Sequence, residues 1–79
     1  MNDYESAIVK RVVKSYLIHN GEASTRMIAD HIIANKYGLR NEISVRVLAR
    51  QLRKWKLKPS SWFCVECREK GNDKWWRLV

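Results

Sequence analysis

The chain has 79 residues, with 16 Lys and Arg against 8 Asp and Glu, and 46% of its residues are hydrophobic. This length accommodates one domain, 1–79, with one core and no second lobe to form an active-site cleft, and the apolar share excludes a disordered tail. No apolar run reaches the roughly 18 residues that cross a bilayer, and the acidic, polar start Asn2-Asp3-Tyr4-Glu5 is unlike a secretory signal, so a soluble, cytoplasmic protein with no membrane partner is expected.

The net charge of +8 is unevenly placed. Residues 40–58 hold Arg40, Arg46, Arg50, Arg53, Lys54, Lys56 and Lys58 against Glu42 alone, whereas acids and bases nearly cancel in the rest of the chain. A field concentrated in this way attracts a polyanion, and nucleic acid is the commonest one in a cell.

In chain order, the first predicted helix runs from about Tyr4 to His19. Asn2 and Glu5 fit a capping box at its start, and Gly21 is a natural stop. Ile8, Val9, Val12, Val13 and Tyr16 share one broad arc, with Lys10 and Lys14 opposite, which predicts a packed helix. Gly21-Glu22-Ala23 leaves room for a short extended piece. Ser24 is the best cap for a second helix to about Asn35, through Met27, Ile28, Ala29, His31 and Ile32. Residues 36–41 read as a loop ending in Asn41, the predicted cap of a third helix over about Glu42 to Lys56.

The third helix carries the clearest pattern. Val45, Leu48, Ala49, Leu52 and Trp55 share one face, and Arg46, Arg50, Arg53 and Lys54 form an acid-free stripe on the other. A merely solvated face ordinarily mixes acids with bases for intrahelical pairing. Without acids these residues repel one another until a polyanion neutralises them.

Pro59 and Ser60-Ser61 break the helical region, and the period then changes to two. Trp62–Lys70 and Asp73–Val79 flank Gly71-Asn72, a two-residue hairpin turn. That turn pairs Lys70 with Asp73, Glu69 with Lys74, Arg68 with Trp75, Cys67 with Trp76, Glu66 with Arg77 and Val65 with Leu78. Opposite charges, an Arg–aromatic pair and an apolar row emerge from one register, which predicts a buried Trp76 and a more exposed Trp75.

Cys64-Val65-Glu66-Cys67 invites a zinc or redox reading. Zinc needs four ligands, and no second such pair or close His pair exists; residues three apart on a strand also point to opposite faces. Two ordinary cysteines, no metal and no cofactor are expected. His31 reads as a boundary residue, and Glu66 with Arg77 as a cross-strand pair. No nucleophile–base pair, phosphate-cradling glycine loop or carboxylate cluster appears, so the chain is not expected to be an enzyme.

The order helix, short strand, helix, turn, helix, hairpin resembles the winged helix-turn-helix superfamily, an α+β fold of three helices with a two-stranded wing over 62–79. The resemblance rests on Gly21-Glu22-Ala23-Ser24-Thr25 leading into Ile28-Ala29, on Ser44-Val45-Arg46-Val47-Leu48-Ala49-Arg50-Gln51-Leu52-Arg53-Lys54, and on Lys74-Trp75-Trp76-Arg77-Leu78. The Ile28–Val45 span is longer than in the compact helix-turn-helix, and Ile33 stands where a small residue is usual.

The resemblance implies a double-stranded DNA-binding transcriptional regulator with its third helix in the major groove. Ser44, Arg46, Val47, Arg50 and Gln51 are then nearest the base edges, while Arg53, Lys54, Lys56 and Lys58 face phosphates, and Arg40 is a further DNA-binding candidate. Lys70 and Lys74 at the wing tip are either backbone or minor-groove contacts or an ordinary soluble turn. Ser24 and Thr25 sit where a helix N-terminus meets a phosphate, though capping alone also explains them. The competing class is a protein–protein winged-helix module, which usually lacks an acid-free basic third helix. RNA binding would call for an aromatic stacking sheet that is not evident. No small-molecule pocket is evident, and any homodimer is expected to use the first helix, the wing strands or exposed tryptophan.

Overall fold

The computed structural model describes residues 2–35, 37 and 43–79. Among them the order is α1 (Asp3–Asn20), β1 (Glu22–Ser24), α2 (Thr25–Asn35), α3 (Val45–Leu57), β2 (Val65–Lys70) and β3 (Asp73–Leu78). The result is a small α+β domain of three helices and a β2–β3 hairpin.

Each helix start is held by a side-chain oxygen that accepts one of the first-turn N–H groups the helix itself leaves unpaired. Asn2 Oδ1 accepts from the Glu5 N–H at 2.8 Å, and Ser24 Oγ accepts from the Met27 N–H at 3.1 Å. For α3 the cap is Ser44, whose Oγ accepts from the Val47 N–H at 3.1 Å. The third helix thus begins at Val45 rather than at about Glu42; Asn41, Glu42 and Arg40 lie outside the described residues. The reason for the later start is visible next to the cap. Ile43 is only 4% exposed and joins the core with Leu48, the arrangement of a hydrophobic staple around a cap.

The helix α1 buries Val9, Val13 and Leu17, a ridge at i, i+4 and i+8. Val12 and Tyr16 pack beside this ridge, and Ile8 is half-buried. The buried line is thus narrower than the predicted arc and extends to Leu17. From α2 come Ile28, Ala29 and Ile32, and from α3 Leu48, Leu52 and Trp55, so three apolar stripes meet in one core.

The hairpin has the register derived from the sequence: Cys67 pairs with Trp76, and Lys70 with Asp73. Gly71 takes φ 62°, while Asn72 is not in the left-handed region. A single positive φ at the first central residue is what a type II′ turn requires, and only glycine adopts it without strain. Trp76 is buried at 2% exposure and Trp75 is half-buried.

The short strand expected after Gly21 is present as β1. What the sequence did not assign is its antiparallel pairing with β3 (Ala23 opposite Trp76), which gives, among the described residues, a three-stranded sheet in the order β1-β3-β2 rather than a free two-stranded wing. The second strand also starts at Val65, three residues after the predicted Trp62. Ser60 and Phe63 exchange backbone hydrogen bonds of 3.1 and 3.3 Å, which puts Ser61 and Trp62 at the corner of a tight turn. Phe63 is thereby turned into the core, its ring edge-on to Trp55 at 5.6 Å.

Candidate nucleic-acid interface

The site is built on the solvent face of α3. Leu48, Leu52 and Trp55 hold the opposite face in the core, so Arg46, Arg50, Arg53 and Lys54 are exposed because of the helical period itself. Lys56 and Lys58 are exposed at the C-terminal end, where Lys54 and Lys56 also complement the negative end of the helix dipole.

The tertiary structure divides this face in two. Arg46, Ala49, Arg50 and Arg53, at i, i+3, i+4 and i+7, line a hollow of about 230 Å³ together with Lys74 and Trp76 of β3. Lys74 and Trp76 are two apart on the strand and point to the same side, so the sheet face that fills the core also supplies the wall of the hollow. The predicted contacts Val47, Gln51 and Lys54 lie on the other flank of the helix. Val47 is half-buried against the core, and Gln51 is also half-buried. Ser44 is exposed, but its hydroxyl caps α3.

Lys70 stands apart from this hollow. It projects from the outer face of the sheet, where its ammonium is 2.7 Å from the Glu22 carboxylate and 5.0 Å from the Trp75 ring centre. Arg68 reaches the same carboxylate at 3.2 Å. The Lys70 hydrogen bond, reinforced by the Lys70 and Arg68 charges and opposed by desolvation, holds the Glu22 carboxyl below its ordinary range. Arg77 pairs with Glu66 on this face too. By contrast, among the described residues none of Arg46, Arg50, Arg53, Lys54 and Lys74 forms an ion pair.

A buried hydrogen bond fixes the floor of the hollow. The Trp76 indole N–H donates to Thr25 Oγ1 at 2.8 Å, and the Thr25 hydroxyl lies 3.5 Å from the Lys74 carbonyl. The start of α2 is thereby tied to the strand that carries Lys74. Sequence reasoning read Thr25 as a helix cap or a phosphate contact and missed this role. The available signal was that a buried indole needs an acceptor; which hydroxyl supplies it is set by the β1–β3 pairing.

Cys64 and Cys67 are free thiols, and the Cys64 Sγ–H is directed at the Ser60 carbonyl at 3.3 Å. Among the described residues no three His, Cys, Asp or Glu side chains are grouped to hold a metal ion, and no helix is long and apolar enough to cross a membrane. A second hollow, of about 480 Å³, lies between α1 and α2, lined by Val12, Tyr16, His31 and Tyr37 with Arg11 and His19 among its polar groups. Spacing along the chain does not reveal it. Tyr37 Oη lies 2.7 Å from His31 Nε2 there.

No family model, curated protein or solved structure matches this chain.

Proposed function

We propose that this chain is a winged helix-turn-helix protein that binds double-stranded DNA, with α3 in the major groove and the β2–β3 hairpin as the wing, and that it acts as a transcriptional regulator by occupying its site. The observation that carries this reading is the convergence of Arg46, Arg50 and Arg53 with Lys74 around one hollow, with no ion pair to any of them among the described residues. Four cations held together without counter-charges repel one another, and a phosphate backbone relieves the repulsion while releasing its own condensed ions. Packing of the hairpin against α3, with Lys74 and Trp76 beside Arg46, Arg50 and Arg53, further supports the assignment, because a wing lies next to the third helix.

Within this reading Arg46 and Arg50 face the base edges, where a guanidinium grips guanine O6 and N7. Arg53, Lys54 and Lys74 face phosphates, and Lys56 and Lys58 extend the same field. The test is a titration of a random duplex at several salt concentrations. The logarithm of affinity is expected to fall by about 0.9 for each phosphate neutralised, per unit of log salt. A flat plot would leave the α3 face without this role.

A further inference from the structure

Outside the α3–β3 hollow, Lys10 and Lys14 project from α1 towards Trp62 at the corner of the Ser60–Phe63 turn. The Lys10 ammonium lies 5.1 Å from the Trp62 ring centre, 5.5 Å from Phe63 and 5.9 Å from Trp55. The Lys14 ammonium lies 5.3 Å from Trp62. Trp62 is 44% exposed, although its neighbours Phe63 and Trp55 are buried. Among the described residues neither lysine pairs with a carboxylate.

We propose that Lys10, Lys14 and Trp62 form a platform for single-stranded nucleic acid, with an unpaired base stacked on the Trp62 indole and the two ammoniums on the adjoining phosphates. The partner must be anionic to satisfy two unpaired lysines, and it must bring a flat π face to cover an exposed indole. Each nucleotide of a strand supplies both. A duplex keeps its base faces inside the stack, so the indole meets one only where the strand is unpaired. An acidic peptide satisfies the lysines and leaves the ring uncovered. The lysines now resting on the ring are no obstacle, since base stacking on the indole replaces a cation–π contact of comparable strength. Their flexible stems swing outward to phosphate. Neither Trp62 nor either lysine lines the α3–β3 hollow, so the inference does not rest on the duplex reading.

The experiment titrates the full chain with an oligothymidylate of about 12 nucleotides, within the usual site size of such platforms, and separately with a blunt duplex. Binding is expected, with Trp62→Ala about tenfold weaker or worse and Trp62→Phe close to the parent, because stacking tolerates any aromatic. Lys10→Gln with Lys14→Gln is expected to weaken binding and flatten its salt dependence. This pair of substitutions, which keeps most of each half-buried stem, also serves as the deciding variant if Trp62→Ala fails to fold. Duplex affinity of the two Trp62 variants stays within about twofold of the parent, because the ring does not line the α3–β3 hollow and carries no charge. No binding of oligothymidylate, unchanged affinity in the lysine variant, unchanged affinity in a folded Trp62→Ala, or equal displacement by a polyglutamate peptide would overturn the proposal. Loss of duplex binding alone, with oligothymidylate binding intact, would count against the α3 reading and not against this one.

Discussion

Two residues decide whether the hollow keeps its shape. Trp76 combines a fully buried ring with a polar N–H, and Thr25 supplies the acceptor 2.8 Å away. Trp76→Ala is expected to cost about 3–5 kcal/mol, in line with large aromatic truncations. Thr25→Val keeps the volume but leaves the indole N–H buried without its acceptor, and is expected to cost about 1–3 kcal/mol. Thermal denaturation measures both; a Thr25→Val midpoint equal to the parent would show that the hydrogen bond holds nothing. At Glu22 the expectation concerns pH. Its carboxyl titrates below the free value because Lys70 hydrogen-bonds the ionised form. The folded pKa is depressed, so its contribution to stability is present above the unfolded pKa and disappears as pH falls through the folded one. NMR titration of the side-chain carboxyl carbon checks this, and a midpoint at or above that of free Glu would contradict it.

The separation of roles within α3 belongs to the element scale. Its buried face and its cap stabilise the fold, while its basic stripe is exposed and does neither. Arg50→Ala is therefore expected to lower duplex affinity about tenfold, within the range for one lost arginine contact, with an unchanged thermal midpoint. Ser44→Ala should behave differently, removing the cap bond to Val47 at a cost of about 1 kcal/mol in stability. If Arg50→Ala destabilises the domain as much as Ser44→Ala does, Arg50 is part of the fold and the stripe loses its functional meaning. The later start of α3 has the same origin. Both Asn41 and Ser44 suit a cap on local grounds, and burial of Ile43 selects the one that follows it.

For the whole molecule, the decisive arrangement is which lysine of the hairpin joins the helix. Both Lys70 and Lys74 lie near the Gly71 turn, yet they leave opposite faces of the sheet. Lys74 lines the hollow with α3, while Lys70 is engaged by Glu22 and Trp75. Lys74→Ala is expected to weaken duplex binding and reduce the magnitude of the salt slope by about one. Lys70→Ala should leave the affinity within about twofold, the scale expected of a rim charge already satisfied. Equal losses at the two positions would mean that the tip, rather than the hollow, is the contact.

The one-dimensional pattern was enough for whatever depends on period and on neighbours in the chain. It determined the three helices, two of their caps, the hairpin register with Trp76 inward, and the acid-free stripe on α3, because side-chain direction repeats every 3.6 or 2 residues. Features requiring two distant segments to meet were decided only by the tertiary structure. Pairing of β1 with β3 joined the short strand to the hairpin and gave Trp76 its acceptor at Thr25. Packing of the hairpin against α3 separated Lys74 from Lys70, and the Ser60–Phe63 turn carried Trp62 out of the predicted strand to the lysines of α1. Such contacts depend on how buried faces fit together in space, a constraint that local spacing along the chain does not contain.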